Sequence, residues 1–489
     1  MGGGLLQLVA SGAQDVYLSS NPQITFWKGL YKRHTNFAME SFRLNLTGQP
    51  NWGMKQSVTL GRHADLAYST YLEVVLPVYQ IGSGPGLASP NDVKVDWNNE
   101  QGRLGYNLIR YVELEVGGQL IDRLYGEFMY LWDTLTSDAN KSKQLWDMVG
   151  FAATNRVGAS GNPGLELPDS SSCSAATGRQ GHPNVLYIPL TFFYTRNPGC
   201  ALPLISLQYH ETKINIQWNE KQFVSADFST SRISKLPAPV SAAVYVDYIY
   251  MDVEERRRMA QESHEYLIEQ VQFNEDKGLS SASNRVDLTF NHPVKELIWV
   301  VQPERFTNCK VADKANNSEA TYGVPRPDDN RLAPFTYTYA SQASTVAANQ
   351  TPEQPIFEQW IQFNGQDRLD KRYGNYYNRV QPYQHHSGSM VPAGFDTNAV
   401  TTGTGGTTSI TPTKQHAIYC YSFALKPEEH QPSGTCNFSR IDTATIVMNM
   451  SGAYVVDEST DNSWNVRVYA INYNVLRIMS GMAGLSYSN

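Results

Sequence analysis

The side chains in this sequence that could do chemistry are few, and their spacing argues against most reactions. His385-His386 is the densest pair of metal-competent residues, but neighbours on a strand point to opposite faces, and the alternate His-x-His of metal-binding β barrels does not occur. The pair reads as loop packing or an interface feature. His264-Glu265 does not continue to H-E-x-x-H, and G-x-x-x-x-G-K-S/T, G-x-S-x-G and a strand-anchored G-x-G-x-x-G are all missing. The acidic pairs Glu254-Glu255, Asp328-Asp329 and Glu428-Glu429 are sequence neighbours, whereas glycoside hydrolysis needs two carboxylates held across a cleft from separate strands. Five cysteines (Cys173, Cys200, Cys309, Cys420, Cys436) are odd in number, widely spaced and without C-x-x-C. They predict reduced, mostly buried thiols and neither a disulfide framework nor a zinc site. No catalytic, cofactor-binding or metal-ligating residue is assigned from the sequence.

Charge narrows the partners. The 489 residues carry a formal net charge of -7, and the isoelectric point is near 5.8, so the basic footprint that grips phosphate backbones is missing. Arg256-Arg257-Arg258 is flanked by Glu254, Glu255 and Glu262, which predicts a solvated or salt-bridged helix. The opening MGGGLLQLVASGAQD lacks a basic n-region and meets Asp15 early, and no apolar run approaches the ~20 residues of a membrane span. Gly2 is followed by Leu6 where myristoylation prefers Ser or Thr. A soluble product made in the cytosol is expected, one that the glycosylation machinery would not meet despite its Asn-x-Ser/Thr sites.

The elements that must position these residues are mostly strands. Only 17% of residues are charged, against about 25% in an average soluble protein. With 29 Tyr, 36 Gly and 25 Pro, that composition favours turn-rich β structure over helical bundles. Strand patterns run over 38–47, 66–77, 108–116, 185–194, 204–218 and 242–251, then 286–290, 294–301, 357–363, 418–425, 443–450 and 466–478. Between the two groups, DVEERRRMAQES is charged and free of Gly and Pro, with Glu254 and Arg258 at helical spacing, so a short linker helix is expected over 253–264. Long Gly/Ser/Pro/Thr/Asn-rich segments at 82–99, 154–183, 225–240, 308–355 and 388–416 read as surface loops.

A weak repeat, offset by roughly 248 residues, divides the chain. VELEVGGQLIDRLYGEF (Val112 to Phe128) is echoed by EQWIQFNGQDRLDKRYGNYY (Glu358 to Tyr377). Both pass through Gly-Gln to Asp-x-x-Tyr-Gly-x-aromatic: Asp122, Tyr125, Gly126, Phe128 and then Asp370, Tyr373, Gly374, Tyr376. In these structural repeat turns the glycine is expected to permit a tight turn and the aromatic to pack beneath it. LYIPLTFFY (Leu186 to Tyr194) is answered in the same order by IYCYSFALK (Ile418 to Lys426). Two ordered matches indicate duplication, and halves of about 220 residues suit a jelly roll, a sandwich of two antiparallel sheets. The expected fold is all-β: two tandem eight-stranded jelly rolls with a short linker helix and long surface loops. The expected units are an N-terminal arm (1–37), a first roll (38–252), the linker helix (253–264) and a second roll with C-terminal strand and tail (265–489).

Longer segments carry a family resemblance. GGLLQLVASGAQDVYLSSNPQITFWKGLYKRHTNFAMES (Gly3 to Ser41), NPGCALPLISLQYHETKI (Asn197 to Ile214), ERRRMAQESHEYLIEQVQF (Glu255 to Phe273) and FNHPVKELIW (Phe290 to Trp299) are followed by NGQDRLDKRYGNYYNRVQPYQ (Asn364 to Gln384), QPSGTCNFSRID (Gln431 to Asp442) and YAINYNVLRIMSGMAGLSYSN (Tyr469 to Asn489). In that order they resemble the major capsid proteins of nucleocytoplasmic large DNA viruses of algae and amoebae. The likeness spans the chain but not the loops 82–99, 308–355 and 388–416, so nothing about host contact or glycans is carried over to those. The resemblance implies a double jelly-roll subunit without cofactor that forms a pseudo-hexagonal homotrimer. Its implied partners are neighbouring capsomers, minor capsid and penton proteins, and an inner membrane near the N-terminal face, with no direct nucleic acid. It also implies assembly in the host cytoplasm and a place in the virion's outer shell. A tandem jelly-roll carbohydrate-binding protein or glycan-acting enzyme is the rival class, because one fold hosts many functions.

Overall fold

The computed structural model describes residues 3–24, 26, 27, 31–76, 97, 103–150, 184–225, 236–308, 332, 334, 335, 337, 355–388, 400–402, 408–410, 417–450 and 463–487. All of the expected loop 154–183 and most of the other four, together with Cys173 and Cys309, lie outside these residues.

In the first half the strands are β1 (Phe37–Asn45), β2 (Lys55–Thr59), β3 (Leu66–Leu76), β4 (Ile109–Val116), β5 (Gln119–Tyr125), β6 (Asn184–Pro189), β7 (Leu202–Pro203), β8 (Thr212–Trp218) and β9 (Ser241–Met251). One antiparallel sheet runs β1-β9-β3-β6 with β7 beside β3, and the other runs β2-β8-β4-β5. Alternation explains how they pack: Leu72, Val74 and Leu76 of β3 and Ile214, Ile216 and Trp218 of β8 are buried two residues apart, as side chains on one face of a strand must be.

The second half holds β10 (His264–Leu279), β11 (Ser283–Asp287), β12 (Pro293–Pro303), β13 (Ile356–Phe363), β14 (Gln366–Asp367), β15 (Arg372–Tyr373), β16 (Val400–Thr402), β17 (Thr408–Ile410), β18 (Ile418–Ser422), β19 (Cys436–Asn437), β20 (Ala444–Met450), β21 (Trp464–Met479) and β22 (Met482–Leu485). Its sheets run β10-β21-β12-β18 and β11-β20-β13-β14, with β15, β19 and β22 as side strands and β16-β17 as a separate hairpin. The main paths of the two halves correspond strand for strand. The echo between 186–194 and 418–426 lands on β6 and β18, which occupy the same place in the two sheets. The chain is two tandem jelly rolls.

The expected elements differ from the observed ones where burial and backbone pairing part company. The apolar run 204–218 is strand only from Thr212, because 204–207 turns instead, with Leu207 N–H donating to Leu204 O at 3.2 Å. Leu204 and Leu207 are nonetheless buried, so their hydrophobicity reports packing and not a ladder. The strand expected over 185–194 stops at Pro189 and gives way to a helical turn, Phe193–Arg196. A 16-residue strand, β10, was missed because its charged text has no clean period of two. The linker helix spans Val253–Gln261, with Asp252 accepting from Val253 N–H. Its Arg258 pairs forward with Glu262 (3.0 Å) rather than back with Glu254, and Arg256 reaches Asp65 (3.0 Å).

Across the second roll, Trp299 of β12 donates from Nε1 to Gln359 Oε1 of β13 at 3.0 Å, joining the two sheets inside the core. Removing that donor strands a buried acceptor and opens a cavity. Trp299→Phe is expected to lose about 2–4 kcal/mol in urea unfolding. Adding Gln359→Leu should recover part of the loss; a double variant no better than the single one would show that packing alone sets the cost.

Candidate functional site

The two repeat turns begin alike. Gly117 and Gly118 (φ 58° and 84°) connect β4 to β5, and Asn364 and Gly365 (φ 49° and 77°) connect β13 to β14. Paired positive φ marks the two-residue hairpin that such strands favour. The tight-turn role expected of Gly126 and Gly374 therefore belongs to Gly118 and Gly365. Gly126 and Gly374 have ordinary φ and each starts a helical segment. At Gly126 the requirement is space, because a Cβ there would stand 2.2 Å from Ile109 O and 2.3 Å from Tyr106 O.

Beyond the turns the copies diverge. In the first, buried Asp122 accepts through Oδ1 from its neighbour Arg123 N–H (2.9 Å) and from Val271 N–H of the second roll (3.1 Å). Tyr125 lies 4.7 Å from Phe273, and fully buried Phe128 lies 5.5 Å from Tyr469. In the second copy Asp370 is exposed, and Tyr373, 62% exposed, meets the edge of Phe357 at 5.4 Å. Tyr376 lies under the Arg372 guanidinium at 4.1 Å and accepts from Gln381 at 2.9 Å. The structure brings Asp122, Tyr125 and Phe128 to the seam between the rolls and leaves Asp370, Tyr373 and Tyr376 away from it.

Charged residues missed by the sequence reading fill that seam. The helix Gly126–Thr136 presents Glu127 to Arg467 of β21, which grips it with two hydrogen bonds of 2.6 and 2.7 Å. Tyr469 and Tyr337 donate to the same carboxylate at 2.6 and 2.8 Å, and Arg467 donates onward to Gln302 at 2.5 Å. Burial alone would lower the Arg467 pKa, but the Glu127 charge holds the guanidinium firmly protonated; both tyrosines are pushed well above their ordinary range, chiefly by burial. The open part of the seam is a cleft of about 470 Å³, lined among others by Tyr106, Tyr125, Glu127, Phe273 and Arg467.

A second cluster lies along the same helix. Glu269 pairs with Lys295 at 2.6 Å and with Arg196 at 2.8 Å, and the Trp132 ring lies 4.7 Å from the Arg196 guanidinium and 5.9 Å from the Lys295 ammonium. Burial lowers the Lys295 pKa. His385 ends the helix Gln381–His385 and bonds Leu425 O at 3.1 Å. His386 is held between Glu296 (Nε2 to Oε1, 2.5 Å) and Glu428 (Nδ1 to Oε1, 3.0 Å). Burial opposes charge on this ring, yet Glu296 and Glu428 raise its pKa to about 12. Ser387 and Gly388 then hook onto the end of the first roll's helix through Thr136 O and Leu135 O at 3.1 and 2.7 Å.

Of the thiols, Cys200 and Cys420 are buried, Cys436 is half-buried, and all three are free. Cys200 Sγ stands 3.2 Å from His430 Nε2, but burial pushes its pKa up, away from the thiolate a nucleophile needs. The groups gathered at the seam are suited to holding two folded halves in register.

Known proteins resemble the chain over its whole length. The family described as "Major capsid protein N-terminus" matches residues 25–252, and "Large eukaryotic DNA virus major capsid protein" matches 255–401 and 404–484. The major capsid protein of Pyramimonas orientalis virus is 43% identical, and that of Phaeocystis pouchetii virus 41% identical, each over 100% of both chains. Among solved structures, a chain of the PBCV-1 virus capsid superposes with a TM-score of 0.66 at 32% identity, covering 95% of this chain and 100% of that one.

Asp122 supplies a test of the seam. Burial raises its pKa from 3.8 to about 7, against the opposing pull of the Val271 N–H. A carboxyl whose folded pKa is raised contributes stability that is present at low pH and is lost as pH rises through the folded value. Asp122→Asn keeps an acceptor for both N–H groups and removes the titration, so it should gain on the parent between about pH 5 and about pH 8. Asp122→Ala also removes the titration but strands Val271 N–H, so it should lose about 1–3 kcal/mol near pH 5 and less at about pH 8, staying below the Asn variant at both. Urea midpoints at the two pH values measure this; an Asn variant with the parent's pH slope would refute the assignment.

Proposed function

The chain belongs to the major capsid proteins of large eukaryotic DNA viruses, and on that premise we propose that it assembles as a homotrimeric, pseudo-hexagonal capsomer in the outer shell of the virion. The roll at 38–252, the linker at 253–264 and the roll at 265–489 are the building units, with residues 1–37 as an arm toward minor capsid proteins and the inner membrane. The role is structural: the relatives are named as capsid proteins, and the seam residues are engaged with one another.

One observation carries the trimer: the same sheet face is covered in one roll and bare in the other. In the second roll, the outer face of β10-β21-β12-β18 carries Phe273, Arg467 and Tyr469 and is covered by the first roll's repeat turn and helix. The corresponding face of β1-β9-β3-β6 carries exposed Phe37, Met39 and Tyr187 and a Tyr71–Tyr245 stack at 5.3 Å. The second roll's own turn, with Tyr373, is likewise uncovered. A free face at one end and a free turn at the other are the two halves of a head-to-tail contact, which closes into a ring when the rotation permits. Six similar rolls in three chains satisfy that closure. Exposed apolar residues in the arm, among them Leu6, Leu18 and Trp27, suit further contacts of the same kind.

Light scattering after size exclusion should give about 164 kDa, three times the chain mass of 54.7 kDa. Tyr187→Glu, or Tyr373→Glu on the opposite face, should shift the species toward the 54.7 kDa monomer with unchanged circular dichroism, because a charge buried in the contact weakens it by about tenfold or more. A parent chain that remains monomeric at high concentration would overturn self-assembly without a partner. A trimer untouched by both variants would overturn the assigned faces.

A further inference from the structure

Glu296, His386 and Cys420 come from three separate segments of the second roll and meet on the face of its sheet that looks toward the first roll. In the register of β12 and β18, Ile298 lies opposite Cys420 and Glu296 opposite Ser422, so Glu296 and Cys420 share a face on neighbouring strands. His386 enters from beyond the helix Gln381–His385, and the edge of Trp132 from the first roll's helix approaches it at 6.4 Å between ring centres. One ligand atom from each of the three residues lies within 4.8 Å of the other two.

Two features set this cluster apart from an ordinary buried ion pair. Glu296 is completely buried, and its Oε2 has no hydrogen-bond partner, an expensive state for a carboxylate oxygen. In addition, His386 Nδ1 is engaged by Glu428 Oε1 at 3.0 Å. That is the outer carboxylate–imidazole contact that orients a metal-ligating histidine and fixes its tautomer.

The geometry points to a structural zinc site formed by His386 Nε2, Cys420 Sγ and the Glu296 carboxylate. The donor set of imidazole, thiolate and carboxylate suits zinc, which takes each of them in tetrahedral sites. Tetrahedral donors at zinc stand about 3.3–3.6 Å apart, so the 2.5 Å contact between His386 and Glu296 opens when the metal takes the place of its proton. The three side chains supply three of the four tetrahedral positions, and a water takes the fourth. Binding converts an imidazolium, a thiol and a carboxylate into neutral imidazole, thiolate and carboxylate on Zn²⁺, releasing two protons, and Nδ1–H continues to donate to Glu428. The metal would tie β12 and β18 to the segment that hooks onto the first roll through Ser387 and Gly388, stapling the seam from within.

The test uses the full chain, produced with zinc in the medium because the site is buried, and then with cobalt in its place. One zinc per chain is expected by elemental analysis. The cobalt form should show tetrahedral d–d bands with a thiolate-to-cobalt charge-transfer band, which Cys420→Ser abolishes and Cys200→Ser leaves intact. Glu428→Gln, outside the ligand set, should weaken zinc binding about 10–100-fold without removing the thiolate band. Should Cys420→Ser fail to fold, X-ray absorption of the zinc-loaded parent decides, since sulfur must appear in the zinc shell. A folded parent chain without zinc, a zinc shell lacking sulfur, or a charge-transfer band that follows Cys200 would overturn the assignment.

Discussion

The contact between Glu127 and Arg467, 340 residues apart in the chain, is the constraint around which the two halves are arranged. Burying a guanidinium and a carboxylate costs several kcal/mol per ion unless both are fully engaged. Here Arg467 chelates the carboxylate while Tyr469, Tyr337 and Gln302 take up remaining capacity. Such a pair adds little stability compared with apolar packing of the same volume, but breaking it is severe. Its effect is geometric: the planar fork of Arg467 accepts Glu127 in one orientation, which fixes the helix Gly126–Thr136 against the second roll's sheet.

Around that fixed point the interface is graded. Aromatic rings of Tyr125, Phe128, Phe273 and Tyr469 supply the apolar area beside the clamp. At the far end of the helix, Trp132 lies against the Lys295–Glu269–Arg196 group, and the backbone of Leu135 and Thr136 receives Gly388 and Ser387. Gly126 sits where the helix begins because the carbonyls of Tyr106 and Ile109 leave no room for a side chain. The helix is therefore pinned at its start by backbone proximity, in its first turn by charge and at its end by hydrogen bonds. A rigid two-roll body is what a shell subunit requires, since flexure within it would spread into every lattice contact.

Duplication gives each roll the same sheet order, yet the copies face different surroundings. Asp122 is buried and Asp370 exposed; Tyr125 is packed and Tyr373 bare. An inherited fold with unequal neighbours explains why the two segments keep a recognisable pattern while only one is engaged within the chain. The uncovered copy and the aromatic face of the first roll are left exposed by the chain's own packing.

The sequence by itself determined the β class, the order of most strands, the duplication and the family, because alternating burial and turn residues are written locally and two ordered echoes leave little room for chance. The hairpins at Gly118 and Gly365 were legible in the same way, although the pattern directed attention to Gly126 and Gly374. Only the tertiary structure decided which residues meet. Glu127 found Arg467 and His386 found Glu296 across 340 and 90 residues, and neither meeting leaves a periodic trace. Leu204 and Leu207 are buried without belonging to a strand, and the charged text of β10 forms a 16-residue strand, as long as β21 and unsurpassed among the described residues. The physical reason is common to all of these: periodicity records that one face of an element leaves water, whereas the identity of what covers it depends on how whole sheets are stacked.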